Sequence, residues 1–165
     1  MAGDLKKCRK AMFVAAVAVV AIAAAFFSGE RYISSTRFCL SCHAMSYPYE
    51  RLRKSAHYGP LGVDPGCKDC HLPPQFFLRM KTHAIDGVAD MIGVYRYGLS
   101  TKEAFDRHKE EFAARARAEL RAWGCSPCKT CHKNPVPTSA AGKLAHEEAG
   151  AQNMTCVDCH QNLVH

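Results

Sequence analysis

Ten cysteines and nine histidines stand in this 165-residue chain, and their spacing decides what chemistry they do. Eight of the cysteines and four of the histidines fall into one repeated pattern: Cys39-Leu-Ser-Cys42-His43, Cys67-Lys-Asp-Cys70-His71, Cys128-Lys-Thr-Cys131-His132 and Cys156-Val-Asp-Cys159-His160. Two thiols three positions apart reach the two vinyl groups of one haem as thioethers, and the histidine that follows is placed to bind its iron. Zinc ribbons and disulfide frameworks also use paired cysteines. Neither needs a histidine directly after every second cysteine. Four copies imply four covalently bound haem c groups, with His43, His71, His132 and His160 as the default proximal ligands. Cys8 and Cys125 lie outside the motifs and receive no role.

These groups need elements to position them. Residues 11–27 are uninterrupted apolar sequence, preceded by Lys6, Lys7, Arg9 and Lys10. Seventeen residues of helix cover about 25 Å against a hydrocarbon core of roughly 30 Å. Ser28 and Gly29 extend one end, and Lys10 snorkels at the other. The basic cluster puts the N-terminus in the cytoplasm. The chain reads as a cytoplasmic tail at 1–10, a single-pass anchor in the inner (cytoplasmic) membrane at 11–29, and a periplasmic tetrahaem domain at 30–165. A cleaved signal peptide, with Ala21-Ile22-Ala23 or Ala23-Ala24-Ala25 as processing sites, is the competing reading. Both export everything beyond residue 30. The formal charge of +7 is partly the N-terminal cluster, and haem propionates offset much of the rest, so nucleic acid is not an expected partner.

Eleven residues separate Phe27 from Cys39, so the first haem sits close to the membrane surface. The motifs fall into two pairs with the same 28-residue offset, 39–43 with 67–71 and 128–132 with 156–160, which fits a repeated two-haem unit. Between the pairs run two predicted helices. Ser100-Thr-Lys-Glu103 has the form of a capping box, followed by a stripe of Phe105, His108, Phe112, Ala116, Leu120 and Trp123. Phe77, Met80, Ala84, Val88, Met91 and Tyr95 make an earlier stripe, with Arg79, His83, Asp86 and Asp90 on the opposite face. The sequence beyond the membrane is too poor in apolar residues for a conventional core. The expected fold is therefore mainly α and irregular: one N-terminal transmembrane helix plus a compact multihaem cytochrome c domain with little or no sheet, its core made by the haems. Without haem it is not expected to fold. So many haems in so small a domain lie in near contact and form a relay, and a relay tethered at the bilayer suggests a lipid-soluble electron source.

Over essentially its whole length the chain resembles the NapC/NirT/NrfH family of membrane-anchored tetrahaem quinol dehydrogenases. The resemblance rests on the single N-terminal anchor, on Cys39-Leu-Ser-Cys42-His43-Ala-Met45, on the length and register from His108 to Cys131, and on the ending Cys156-Val-Asp-Cys159-His160-Gln-Asn-Leu-Val-His165. It implies oxidation of quinol, menaquinol or ubiquinol, from the membrane pool. Electrons then pass to a periplasmic terminal reductase of anaerobic respiration, such as nitrate or nitrite reductase, or to a multihaem cytochrome. It also implies that Met45 replaces His43 on the first iron, that His165 serves the second haem, His57 the third and His146 the fourth. His83 and Asp90 become the quinol-site candidates, since quinol oxidation releases two protons with two electrons and needs a base near the first haem. His83 as a ligand of the first iron is the competing role. His108, between Phe105 and Phe112, reads as packed or propionate-bonding rather than ligating.

Other readings compete with this one. A periplasmic multihaem carrier, released after signal cleavage, would exchange electrons only with proteins. A terminal reductase lacks support because no C-x-x-C-K motif occurs, and a haem-based sensor would need an output domain. The terminal acceptor and a homo-oligomeric state are left open.

Overall fold

The computed structural model describes residues 2–59 and 62–164. These residues form nine α-helices and no strand. The mainly α and irregular fold class holds.

The first helix, α1 (Ala2–Ile33), is longer than the apolar run that nucleates it. It takes in the basic tail and continues past residue 29 for another turn. Its 32 residues rise about 48 Å, and it is the one helix among the described residues long and apolar enough to cross a membrane. Its apolar side chains, including Met12, Phe13, Val19, Val20 and Ile22, are exposed, as a lipid-facing surface requires.

Four short helices carry or precede the cysteine motifs: α2 (Thr36–Cys39), α4 (Cys67–His71), α7 (Ser126–Cys131) and α9 (Cys156–Cys159). Between them stand α3 (Ser46–Arg53), α5 (Phe76–Arg96), α6 (Lys102–Ala122) and α8 (Ala140–Ala151). The cap of α6 falls one residue later than the sequence suggests: the Thr101 hydroxyl accepts from the Ala104 amide at 3.2 Å. At its other end, Gly124 (φ 59°) and Cys125 (φ 54°) take two successive left-handed conformations. They turn the chain sharply from α6 into α7, where Pro127 sits in the first turn.

Buried apolar residues are few: Ala44, Leu52, Leu99, Ala104, Phe105, Cys125 and Val157. They are scattered along the chain and do not make a conventional core, as a domain organised around cofactors predicts. The polarity of α5 is instructive. Its Arg79 and His83 side turns inward to α1, and Asp90 faces Arg115 of α6 at 3.4 Å. The predicted apolar stripe is left outward, with Phe77 85%, Met91 69% and Tyr95 92% exposed.

Residues 26 and 27 of α1 meet Phe76, residue 30 meets Arg79, and residue 34 meets His83. The two helices therefore run in the same direction away from the end of the apolar segment. Phe26, Phe27, Phe76 and Phe77 form an aromatic cluster with ring centroids 5.4–6.2 Å apart.

Candidate haem and quinol site

The four motif helices follow one another in space as they do in sequence. Cys39 and Cys67 lie close enough to couple electrostatically, and the Cys67 amide donates to Thr36 Oγ1 at 3.2 Å, joining α2 to α4. Helix α4 packs on α7, bringing Cys70 within electrostatic reach of Cys128 and Cys131. Cys128 is in turn close to Cys156. Arg121 of α6 holds α9 by donating Nε to Asp158 Oδ1 at 2.8 Å. The second motif of each pair shares a local device. The aspartate before its second cysteine accepts from the backbone amide that opens the helix, Gly66 to Asp69 at 2.7 Å and Thr155 to Asp158 at 2.6 Å. This common turn supports the two-haem repeat inferred from the 28-residue offset.

Two imidazole pairs test whether haem fits. His57 faces His132 with ring centroids 6.3 Å apart, and His146 faces His160 at 6.2 Å. Two metal–nitrogen bonds of about 2 Å, plus the distance from nitrogen to ring centre on each side, sum to about 6.3 Å. Each pair thus spans the width of a single metal ion. The His57 ring also keeps a buried Nδ1 with no hydrogen-bond partner, a costly arrangement in an ordinary core. With the cysteines of motifs three and four alongside, these residues fit two bis-histidine haems. Desolvation by the surrounding chain lowers the His71 imidazole from the ordinary histidine range, with the Asp90 carboxylate opposing. His165, the expected partner of His71, lies outside the described residues.

The first motif differs. The Tyr47 hydroxyl lies 2.8 Å from His43 Nε2 and also donates to the Ser100 carbonyl at 3.3 Å. The nitrogen that would bind iron is occupied by a protein hydrogen bond, while half-buried Met45 ends the adjoining turn of 3-10 helix. His108 stacks on Phe112 at 5.9 Å, contacts Tyr97, and lies 3.4 Å from Glu111. These contacts set His108 among aromatic side chains with one face toward solvent.

Just past the apolar run of α1, His83 Nε2 lies 2.9 Å from Ser34 Oγ, Ser34 donates to Glu30 Oε1 at 3.1 Å, and Arg79 Nε donates to the same oxygen at 2.5 Å. Burial pushes the His83 imidazole below its ordinary value, with the Glu30 carboxylate opposing. Asp90 is not part of this cluster. It lies two turns further along α5, paired with Arg115, and desolvation raises its carboxyl above the usual range. Glu30, Ser34 and Tyr47 contact this cluster or the first motif without belonging to any motif of the sequence. The signal for the first two was visible, since Glu30 and Ser34, like Arg79 and His83, are four apart and share a helical face.

Four thioether motifs, two facing imidazole pairs and a helical scaffold without a core of its own define a multihaem c-type cytochrome. Residues 4–165 match the model of the NapC/NirT cytochrome c family, N-terminal region. The chain belongs to that family. It is 44% identical over 149 residues to a probable tetraheme cytochrome c-type protein of Nitrosomonas europaea, covering 88% of this chain and 64% of that one. It is 32% identical to the cytochrome c-type protein TorY of Haemophilus influenzae, over 92% of this chain and 44% of the relative. With NapC of the same organism the identity is 31%, over 85% and 72%. The chain therefore spans between two fifths and three quarters of these relatives. A solved cytochrome c nitrite reductase NrfHA complex bound to the HQNO inhibitor contains a chain 25% identical, with a TM-score of 0.46 over 90% of this chain and 84% of that one.

Proposed function

We propose that this chain is a membrane-anchored quinol dehydrogenase that takes electrons from menaquinol, or from ubiquinol, and delivers them to a periplasmic reductase or multihaem cytochrome. Residues 1–10 are cytoplasmic, 11–29 span the inner membrane, and 30–165 form the periplasmic domain. The haems, when bound, supply the path for electrons. The residues of the chain hold that path and handle the protons.

Cys39 and Cys42, Cys67 and Cys70, Cys128 and Cys131, and Cys156 and Cys159 attach the four groups. His57 with His132 and His146 with His160 hold the third and fourth irons, and His71 with His165 the second. Met45 serves the first, supported by the engagement of His43 Nε2 by Tyr47; thioether sulfur raises the potential relative to bis-histidine ligation. His83 accepts a proton from the quinol hydroxyl. Asp90, whose carboxyl desolvation raises above the usual range against the pull of Arg115, serves the second proton.

One observation carries this reading: the bond from Ser34, at the end of the apolar helix, to His83. It holds the base against Ser34, which stands five residues before Cys39, at the membrane boundary. The test is reduction of the haem-loaded, detergent-solubilised protein by a menaquinol analogue, followed spectrally. Fast reduction of at least part of the haem is expected, slowed by roughly 10²–10⁴ in His83→Ala, the usual contribution of a positioned base, and slowed in Asp90→Ala. Wild-type rates in both variants remove the site assignment. A protein reduced only by other proteins is a carrier instead.

A further inference from the structure

The hydrogen bonds around His83 assign its tautomer, and through it a role to Glu30 on α1 and to Ser34 in the turn just past its end. Glu30 and Ser34 are 8% and 5% exposed. Glu30 is ion-paired with Arg79, so it is a carboxylate and can only accept. Ser34 has a single hydroxyl proton, which it donates to Glu30 Oε1 at 3.1 Å. Toward His83, at 2.9 Å, Ser34 Oγ can then only accept. The hydrogen of the neutral imidazole must therefore sit on Nε2, leaving Nδ1 as a bare lone pair. No hydrogen bond to Nδ1 is made among the described residues.

We infer that Glu30 and Ser34 are positioning residues of the proton-accepting site: they hold His83 in the Nε2–H tautomer, present Nδ1 to the quinol hydroxyl, and stabilise the imidazolium that forms. The inference rests on the reading of His83 as the base. It follows the general arrangement in which a base is oriented by a third group, here through a hydroxyl because the two helices meet at Ser34. The proton balance is simple. One quinol hydroxyl loses its proton to Nδ1, Nε2 keeps its own, and the electron leaves for ferric haem c, the oxidant. The charged groups facing His83 are Glu30 from α1 and Arg79 from α5. Glu30 favours the protonated ring and Arg79 disfavours it.

A purely structural clamp between α1 and α5 would leave the tautomer and the titration of His83 unmoved. The experiment uses the full-length, haem-loaded protein, ¹⁵N-labelled in detergent and fully reduced, with imidazole ¹⁵N shifts reporting the tautomer. Wild type and Ser34→Thr are expected to show the Nε2–H form, and Ser34→Ala a mixture. Glu30→Gln is expected to titrate at lower pH than wild type, since the carboxylate that favours the imidazolium is gone. In reduction by the menaquinol analogue, Ser34→Ala should lower kcat by about tenfold, the scale of one charge-assisted hydrogen bond, with KM unchanged and rescue by Ser34→Thr. If His83→Ala is slow while Ser34→Ala and Glu30→Gln match wild type in rate, tautomer and titration, the inference fails and the base assignment stands. If His83→Ala itself runs at the wild-type rate, the underlying reading fails. Should Ser34→Ala not load haem, Glu30→Gln decides alone: an unmoved titration overturns the inference and a lowered one supports it.

Discussion

Removing His146 makes a prediction that the geometry fixes on both sides. Helix α8 (Ala140–Ala151) has no buried residue along its 12 positions. Ser139 caps it, its hydroxyl accepting from the Gly142 amide at 3.1 Å. A helix of this length is marginal in water without tertiary support, so on the proposed ligation α8 would be seated by a bond from His146, which faces His160 at 6.2 Å, to the fourth haem iron. His146→Ala should therefore have two effects. The fourth haem becomes five-coordinate, and the fully reduced protein binds about one more carbon monoxide per chain than wild type. At the same time amide exchange across residues 140–151 accelerates toward that of an isolated helix, while α5 and α6 keep their protection. His57→Ala should add about one more carbon monoxide at the third haem. The double variant should add about two, because the pairs share no ligand and distant effects are additive. Gas titration and hydrogen exchange read these outcomes directly. Unchanged carbon monoxide binding in His146→Ala would refute the ligand assignment. Unchanged exchange in α8 would show that something other than the iron bond holds that helix.

Three further outcomes follow from the same geometry. Arg79→Ala leaves the Glu30 carboxylate buried and unpaired, which costs about 3–5 kcal/mol; a thermal melt of the haem-loaded protein should drop accordingly, and Glu30→Gln in the same background should recover much of it. Quinol oxidation should rise with pH through the His83 titration, because only the neutral ring accepts a proton. Since burial lowers that titration point, activity should persist below pH 6.5, the ordinary histidine value, and a rising limb above it would count against His83. Met45→His should lower the potential of the first haem, measured by spectroelectrochemistry, while Tyr47→Phe frees His43 Nε2 to compete for the iron; an unmoved potential in Met45→His would argue that Met45 is packing.

The motifs were legible because thioether chemistry demands a contiguous spacing, and the anchor because lipid demands a contiguous apolar run. Helices α5 and α6 were legible from their stripes, with the cap of α6 off by one because Thr101 rather than Ser100 offers its hydroxyl to the exposed amides. What the pattern could not tell was which side of α5 faces inward. Amphipathicity argues for burying Phe77, Met91 and Tyr95, yet the ion-paired side is the one turned to α1 and α6, since Glu30 and Arg115 reach it there. His57 and His132 stand 75 positions apart, and their pairing is a tertiary fact that no local spacing encodes. The same holds for Ser34, in the turn after α1, and His83 on α5, each ordinary in its own place.

In the proposed function electrons enter from the lipid phase at the junction of α1 and α5. That entry is tested most directly by reconstituting the haem-loaded protein into vesicles that contain menaquinol, with no soluble mediator, and recording the haem spectrum. Reduction at catalytic speed in wild type, lost in His83→Ala although dithionite still reduces that variant fully, is the predicted result. A wild-type protein that stays oxidised in those vesicles, yet is promptly reduced by a soluble electron-carrier protein, would contradict the account.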